Sequence, residues 1–556
     1  MTDEIEISEV PSVAPSIYVN LTDGFVQAEL AEEEHEFDAI SALVLNCTLI
    51  VCLLLAYFVK RYRIYYLPES AGALIIGIII GGVASLSTEN LELFEFDPEL
   101  FFFFLLPPII FEAGYSLDRK GFFENIGAIT LYAIFGTVIS TFVVGIMCFY
   151  AAKLGMIQSI DKENPMEALL FGALISAVDP VATLSIMGND DLNVDPLLYS
   201  LVFGESVLND AIAISLFRTF AKYYKPDGPD WSESEIPGAL VSFLVVTTLS
   251  IFVGVALGLL ASWIYKHTDL KCFPKLETSL LFCFCYLCYA TGEALELSGI
   301  MALFFQGITL SHYNSYNLSA TAHVASEEIF STFATITETI VFIYMGMGVF
   351  TGKFSNWDVG FSFLSLVACL IGRFLNIFPL SYIANYWRKG RNRISGQMQV
   401  VLWFAGLRGA IAFALAENMP GNHKEVYQTA TLSICIFTTV VCGGFTEKML
   451  TIFGMKDNQG SSLALSPSNG DRVLRQISYQ PQTPERRESL VDRHRRQLHR
   501  GIKGIWQRLD DNFFKVHFGG ESDKPRTSEP EYELGSIEHD SSEDSSEHGE
   551  ESSFLR

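Results

Sequence analysis

Apolar runs of about twenty residues recur along the middle of this 556-residue chain, and half of its residues are hydrophobic. An α-helix needs about twenty apolar residues to cross the hydrocarbon core of a bilayer. Only 18% of the residues are charged, and the mean hydropathy is positive, which is rare for a soluble chain of this size. The sequence therefore predicts an all-α polytopic membrane protein and argues against a soluble enzyme, a nucleic-acid binder and a disordered scaffold.

Thirteen apolar segments are long enough to be counted as crossings. An odd number places the two termini on opposite sides of the membrane. Cytosolic loops carry the excess of Lys and Arg, and an outer amino terminus puts twelve of these residues in cytosolic loops against six in the opposite loops. We therefore expect a lumenal or extracellular amino terminus and a cytosolic carboxyl terminus. The segments lie near 39–59, 67–86, 99–117, 126–152, 166–187, 196–221, 236–264, 276–292, 297–311, 328–351, 357–386, 396–417 and 426–452.

The net charge of −26 comes mostly from the two ends of the chain, which together contribute −20. The acidity therefore describes the tails and does not imply a basic partner. The composition divides the chain into four parts: an acidic outer tail (1–38), a transmembrane domain (39–452), a basic amphipathic cytosolic tail (453–520), and an acidic, Ser-rich tail (521–556) that is expected to be disordered.

The basic tail contains a predicted amphipathic helix at 495–513, where apolar residues recur every three or four positions among Arg and Lys. Such a helix suits membrane lipid with anionic headgroups or a partner such as calmodulin. Packing of the same helix against the chain's own membrane domain explains the pattern equally well.

All ten Cys lie between Cys47 and Cys442, in or beside apolar segments. Dispersed thiols of this kind are usually packing residues and not a disulfide framework. The one cluster, formed by Cys283, Cys285 and Cys288, has no nearby His, so a resident metal site is not favoured there. We expect no cofactor.

A few ionisable residues lie inside apolar segments, where an unpaired charge costs several kcal/mol. Such residues usually face a cavity or a partner, and we treat them as candidate functional residues. They are Asp179, Glu205, Asp210, Glu338, Arg373 and Arg408.

Two of the apolar segments contain features that interrupt a helix. Pro180 disfavours helix at Asp179, so the fifth segment is expected to break near 177–179. Gly406 and Gly409 mark a second interruption in the twelfth segment. Positions five and twelve correspond in two inverted six-helix repeats joined by one linker helix, and paired broken helices that cross at mid-membrane are typical of secondary transporters. Glycine pairs also occur as simple points of helix packing.

Asp210 is the candidate carrier of the transported ion. Ser206 lies one turn earlier on the same helical face, and Asn209 is placed to bond to the broken backbone near Asp179. Oxygen ligands of this kind suit Na⁺, K⁺ or H⁺. Because one carboxylate cannot easily hold a proton and a cation together, competition between them is the minimal requirement for antiport. The alternative is a structural polar network between helices.

The other two acids and the two arginines can neutralise one another. We expect Glu205 to pair with Arg373 and Glu338 with Arg408, each pair fixing helices and leaving Asp210 unpaired. The swapped pairing stays open at this point, because the sequence gives the charges and not their distances.

Five motifs, LLPPIIFEAGYSL (105–117), SAVDPVAT (176–183), LVFGESVLNDA (201–211), TETIVFIYMGMGVF (337–350) and GLRGAIAFAL (406–415), follow one another along the chain. Together they resemble the eukaryotic Na⁺/H⁺ exchanger family, and the similarity covers roughly residues 40–455. FEAGYSL and NIFPLSY (376–382) are most similar to the Golgi and endosomal branch of that family.

The resemblance implies a homodimer of thirteen-span protomers that work by an elevator movement. It also implies electroneutral exchange, since in this family an Asn before the Asp accompanies one-for-one stoichiometry, and it implies that Glu205 pairs with Arg373. The residues that it assigns to the cation and the proton are Asp210, Asn209, Asp179, Ser206 and, through its carbonyl, Val178.

From the residues and the resemblance together we expect an antiporter, not an enzyme, which exchanges Na⁺ or K⁺ for H⁺ and so regulates organellar or cytosolic pH. Li⁺ is a further candidate substrate. A Golgi or endosomal membrane is favoured over the plasma membrane. A channel-like or non-transporting protein is the alternative, but the polar positions cluster near one depth and do not line a continuous pore.

Overall fold

The computed structural model describes residues 42–62, 67–86, 98–117, 119–157, 159–160, 162, 164–179, 187, 194–224, 235–350, 357–388, 393–421, 423–453 and 510–519. In these ranges the regular secondary structure is helical. The predicted acidic tails and most of the predicted helix at 495–513 lie outside the described residues.

Besides two short 3₁₀ helices, Leu270–Cys272 and Asn314–Tyr316, fifteen helical stretches can be followed through the described residues, and each of the thirteen predicted apolar segments overlaps at least one of them. Four of the stretches contain a π turn, at Phe101–Leu105, Leu131–Gly136, Thr438–Cys442 and Asp510–Phe514. The stretches are α1 Ala42–Tyr62, α2 Glu69–Ser85, α3 Pro98–Tyr115, α4 Arg119–Thr130 continued by Leu131–Gly136 and Thr137–Lys153, α5 Met166–Ser176, α6 Pro196–Tyr223, α7 Glu235–His267, α8 Pro274–Ala294, α9 Gly299–Tyr313, α10 Ala320–Met347, α11 Val359–Trp387, α12 Gly396–Phe404, α13 Ala410–Glu417, α14 Lys424–Ile452 and α15 Asp510–Phe514 continued by Lys515–Phe518.

Eight of these helices are long and apolar enough to cross a membrane: α1, α3, α4, α6, α7, α10, α11 and α14. The predicted class, an all-α polytopic membrane protein, is confirmed. The count of thirteen crossings stays a prediction, because α2 and α5 are shorter apolar helices and the twelfth segment is divided between α12 and α13.

The helices pack mainly in two groups. In the first, α2 and α3 pack on α10; α7, α8 and α9 pack on one another, and α8 and α9 also pack on α3. In the second, α4 packs on α5, α6 and α11, while α13 packs on α14 and α5. α12 packs on α11. We call these the scaffold group (α2, α3, α7–α10) and the core group (α4–α6, α11–α14). The core group contains both interrupted segments.

α15, which lies near the end of the predicted basic tail (453–520), packs against the scaffold group. Tyr313 Oη donates to Asp510 Oδ1 over 2.6 Å, Asn317 Nδ2 donates to the carbonyl of Phe518 over 2.7 Å, and Lys266 Nζ donates to the carbonyl of Val516. For residues 510–519, the structure therefore has the tail packed on its own membrane domain, which is the second of the two interpretations of the amphipathic pattern.

Candidate functional site

Two broken helices meet in the core group. α5 ends at Ser176, and the backbone of Ala177 is extended instead of helical. α12 ends at Phe404 and α13 begins only at Ala410. The two breaks touch, since the amide of Asp179 donates to the carbonyl of Leu407 over 2.9 Å. Helix ends, with their unpaired amide and carbonyl groups, are thereby brought together inside the protein.

Arg408 lies against the carboxyl end of α5. Its Nη1 donates to the carbonyls of Ser176 and Ala177 over 3.2 and 3.1 Å, and the residue is 2% exposed. The last carbonyls of a helix carry a partial negative charge, so the guanidinium compensates a helix end and not a side-chain acid. The expected pair of Arg408 with Glu338 is therefore not formed in this structure.

Asp179 lies against the opposite kind of helix end. Its Oδ2 accepts a hydrogen bond from the amide of Ala410 over 3.4 Å, at the amino end of α13, where the partial charge is positive. Gly409 makes this approach possible, because a Cβ on this residue would overlap the Asp179 carboxylate. Gly409, which marks the helix break in the sequence, is therefore also needed to leave room for the Asp179 carboxylate.

The other glycine of the same break makes room for Arg373. A Cβ on Gly406 would lie 2.5 Å from Arg373 Nε. Arg373 forms a salt bridge with Glu205, in which Nη2 lies 3.1 Å from Oε2, and the same Nη2 donates to the carbonyl of Leu402 over 3.0 Å. The pair joins α6, α11 and α12, and both residues are almost completely buried.

Asn209 is held between two broken or distorted segments. Its Oδ1 accepts from the amide of Val178 over 3.1 Å, and its Nδ2 donates to Thr137 Oγ1 over 2.8 Å. Thr137 follows the π turn of α4 and is fully buried. Sequence reasoning missed Thr137, because a hydroxyl in an apolar helix usually bonds to the backbone one turn earlier and gives no signal of a distant partner.

Asp210 follows Asn209 on α6 and is 5% exposed. Its Oδ1 is buried and has no hydrogen-bond partner among the described residues. Ser206, one turn earlier, is also buried, and so is Val178. A buried carboxylate oxygen without a partner is costly, so a site of this kind favours a bound proton or a small cation.

A cavity of about 350 Å³ leads to Asp210 from the end at which Lys60 is exposed. Lys60 Nζ lies 2.8 Å from Glu69 Oε1 at this end. The walls carry more acids than bases, which makes the cavity attractive to cations. The carboxylates that line it are those of Glu69, Glu112, Asp179, Asp210 and Glu338.

Glu112 was absent from the predicted set, although it lies in the apolar segment 99–117 and meets the criterion that selected Glu338. Glu338, on α10, lines the cavity between the two helix groups. It lies there instead of in the expected ion pair with Arg408. Among the described residues no cluster of three His, Cys, Asp or Glu can hold a metal ion.

The motif-based resemblance is tested by comparison with known proteins. Residues 49–452 match the family described as sodium/hydrogen exchanger, transmembrane. The solved structure of the sodium proton antiporter MjNhaP1 from Methanocaldococcus jannaschii superposes with a TM-score of 0.57, covering 75% of this chain and 98% of that one. At 18% sequence identity, this likeness establishes the fold alone.

Several curated proteins are similar to most of the chain. Sodium/hydrogen exchanger 8 of Rattus norvegicus is 38% identical over 442 residues, covering 77% of this chain and 75% of that protein. Sodium/hydrogen exchanger 8 of Homo sapiens is 38% identical over 440 residues, with coverages of 77% and 74%. Sodium/hydrogen exchanger 5 of Arabidopsis thaliana is 37% identical over 411 residues, with coverages of 72% and 77%. The motifs, the fold and these matches agree, and the chain belongs to the sodium/hydrogen exchanger family.

Proposed function

We propose that this chain is a cation/proton antiporter in which Asp210 carries either a monovalent cation or a proton. The observation that carries the proposal is the Asp210 carboxylate, which is buried, has an oxygen without a partner among the described residues, and lies at the inner end of an acid-lined cavity. The family is one of exchangers, so the expectation of a transporter instead of an enzyme is confirmed.

The proposed cation site uses the groups that surround Asp210. Ser206 and the carbonyl of Val178 add neutral oxygens, while Asn209 holds the broken backbone in place through the Val178 amide. Asp179 contributes a second carboxylate to the same cavity. Oxygen donors of this kind bind Na⁺ and K⁺ in preference to transition metals, and Li⁺ is a third substrate to be compared.

Electroneutral exchange is the stoichiometry that this site favours. Glu205 is bound to Arg373, which leaves Asp210 as the carrier, so one proton is exchanged for one cation. The membrane potential then contributes nothing, and each tenfold concentration gradient is worth about 1.4 kcal/mol. Exchange of two protons for one cation would instead gain or lose about 2.3 kcal/mol per 100 mV.

Alternating access is proposed to come from movement of the core group against the scaffold group. The cavity lies between them, since α2, α3 and α10 line it on one side and α6 and α13 on the other. With the amino terminus outside, its Lys60 end faces the cytosol. We further propose a homodimer with an elevator movement, in a Golgi or endosomal membrane, on the basis of the motifs shared with that branch of the family.

The test is exchange by purified protein in proteoliposomes, with dissipation of a pH gradient measured in Na⁺, K⁺ and Li⁺. Asp210→Asn should abolish cation-dependent proton flux while leaving expression and the elution volume unchanged. Asp269→Asn, in an exposed turn, is the matched control. Unchanged exchange in Asp210→Asn would reject the assignment, and a current that follows the membrane potential would reject electroneutrality.

A further inference from the structure

The cavity that leads to Asp210 stops there. α6 contributes Phe203, Val207 and Asp210 to its lining, and no α6 residue after Asp210 takes part. An antiporter must open its site to each side in turn, so the protein beyond Asp210 has to separate during the cycle. The contacts that hold this far side closed are therefore part of the transport machinery.

In the part of the chain that the structure describes, a partly buried ion pair joins the two helix groups on this far side. Arg218 lies eight residues after Asp210 on α6, or about 12 Å along a helix axis. Its Nη1 donates to Glu293 Oε1 and Oε2 over 2.8 and 2.9 Å. α6 belongs to the core group and carries Asp210, whereas Glu293 lies on α8 of the scaffold group.

The carboxylate of Glu293 is also held by a hydrogen bond within the scaffold group. Its Oε1 accepts from the amide of Gly299 over 3.2 Å, at the first residue of α9. The side chains of Arg218 and Glu293 are 36% and 20% exposed, so water reaches the pair without fully solvating it. This environment lets the pair form and break at moderate cost, as a cycling contact requires.

We propose that Arg218 and Glu293 form a latch that closes the far side of the Asp210 site, and that breaking this latch is a step of each transport cycle. The structure then represents the conformation that is open at the Lys60 end. This inference rests on the proposed function. It adds a positioning role for two residues that do not touch the cation.

The chain supplies a matched control on the same two segments. Lys222 Nζ lies 3.3 Å from Glu296 Oε2, and these side chains are 61% and 84% exposed. The pair lies four residues after Arg218 on α6 and three residues after Glu293. This pair spans the same two segments, but its side chains lie largely in water, where an ion pair contributes little free energy. Its loss should therefore leave the conformational equilibrium nearly unchanged.

The variants are Arg218→Gln, Glu293→Gln and the charge swap Arg218→Glu with Glu293→Arg. Glu293→Gln keeps an oxygen acceptor for the amide of Gly299. Lys222→Gln and Glu296→Gln are the controls. Stabilisation of the detergent-solubilised protein against heat by added Na⁺ shows for each variant whether the protein is folded and its cation site intact.

Sidedness of Na⁺ activation is the deciding measurement. Loss of the latch lowers the free energy needed to open the far side. The half-saturating Na⁺ concentration at the far face should therefore fall roughly fivefold relative to that at the Lys60 face. Amide hydrogen exchange should rise at the ends of α6 and α8. The charge swap re-forms the ion pair and should restore the ratio, and the controls should match the wild type.

Unchanged sidedness and unchanged amide exchange in both single latch variants would overturn the proposal, as would an equal shift in the control variants. A purely structural role would lower the melting temperature without changing the ratio, and would also overturn it. Failure of the proposed function looks different, because Asp210→Asn would then exchange cations normally while the latch variants still changed amide exchange.

Discussion

The buried pair of Arg373 and Glu205 gives the sharpest test of how this core is held together. Their side chains are 4% and 1% exposed, and Arg373 also donates to the carbonyl of Leu402. Removing the arginine strands a buried carboxylate, which typically costs about 3 to 5 kcal/mol. The carbonyl loses a donor as well, and that adds about 1 kcal/mol.

This loss is large compared with the total stability of most folded domains, which is about 5 to 15 kcal/mol. We therefore expect Arg373→Ala to yield little folded protein. Arg373→Met fills more of the space and should give enough protein to measure. Combining it with Glu205→Gln removes the stranded charge, so the double variant should recover at least about 2 kcal/mol relative to the sum of the single losses.

The assay is thermal unfolding in detergent, followed by size-exclusion chromatography to count the folded fraction. Lys60 and Glu69 provide the comparison, since their atoms lie 2.8 Å apart but the side chains are 71% and 28% exposed. Loss of that pair should cost less than about 1 kcal/mol. Additive losses in the Arg373 and Glu205 double variant would refute the reasoning, as would equal costs for the buried and the exposed pair.

Two further changes test the crossing and the tail. Gly409→Ala should reduce exchange at least about tenfold without preventing folding, because its methyl group takes the place of the Asp179 carboxylate. Gly396→Ala has open space around it and should exchange like the wild type in the same proteoliposomes; equal rates for the two variants would contradict this account. Tyr313→Phe removes the donor to Asp510 and should make the tail more sensitive to limited proteolysis, whereas an unchanged cleavage rate would show that this hydrogen bond does not hold α15 in place.

Much of the architecture can be predicted from local features of the sequence. The apolar segments predict where helices lie, because helix length is set by bilayer thickness. Both interruptions can be predicted from single residues, since Pro180 disfavours helix at Asp179 and Gly406 and Gly409 allow close approach. The contact of Asn209 with the broken backbone follows from its place beside Asp210 on a helix next to that break.

Partners that depend on three-dimensional distance could not be predicted in this way. The sequence offers Arg408 two acids, but it bonds to the uncharged carbonyls of Ser176 and Ala177. Counting charges fails here because a helix end carries partial charge that no residue type records. Glu338 lines the cavity instead of pairing with Arg408, because its place is set by how α10 packs, which the sequence does not record.

The crossing explains why one acid is left for the substrate. Arg408 compensates the carboxyl end of α5, Asp179 compensates the amino end of α13, and Glu205 is bound to Arg373. Each of these charges is matched where it lies, so none needs a transported ion. Among these charges of the crossing, Asp210 is left to be neutralised, on the proposed cycle by a proton in one direction and by a cation in the other. On the proposed cycle the moving core group therefore carries the same net charge both ways, and a desolvated site of this kind avoids the cost of crossing the membrane with an uncompensated charge.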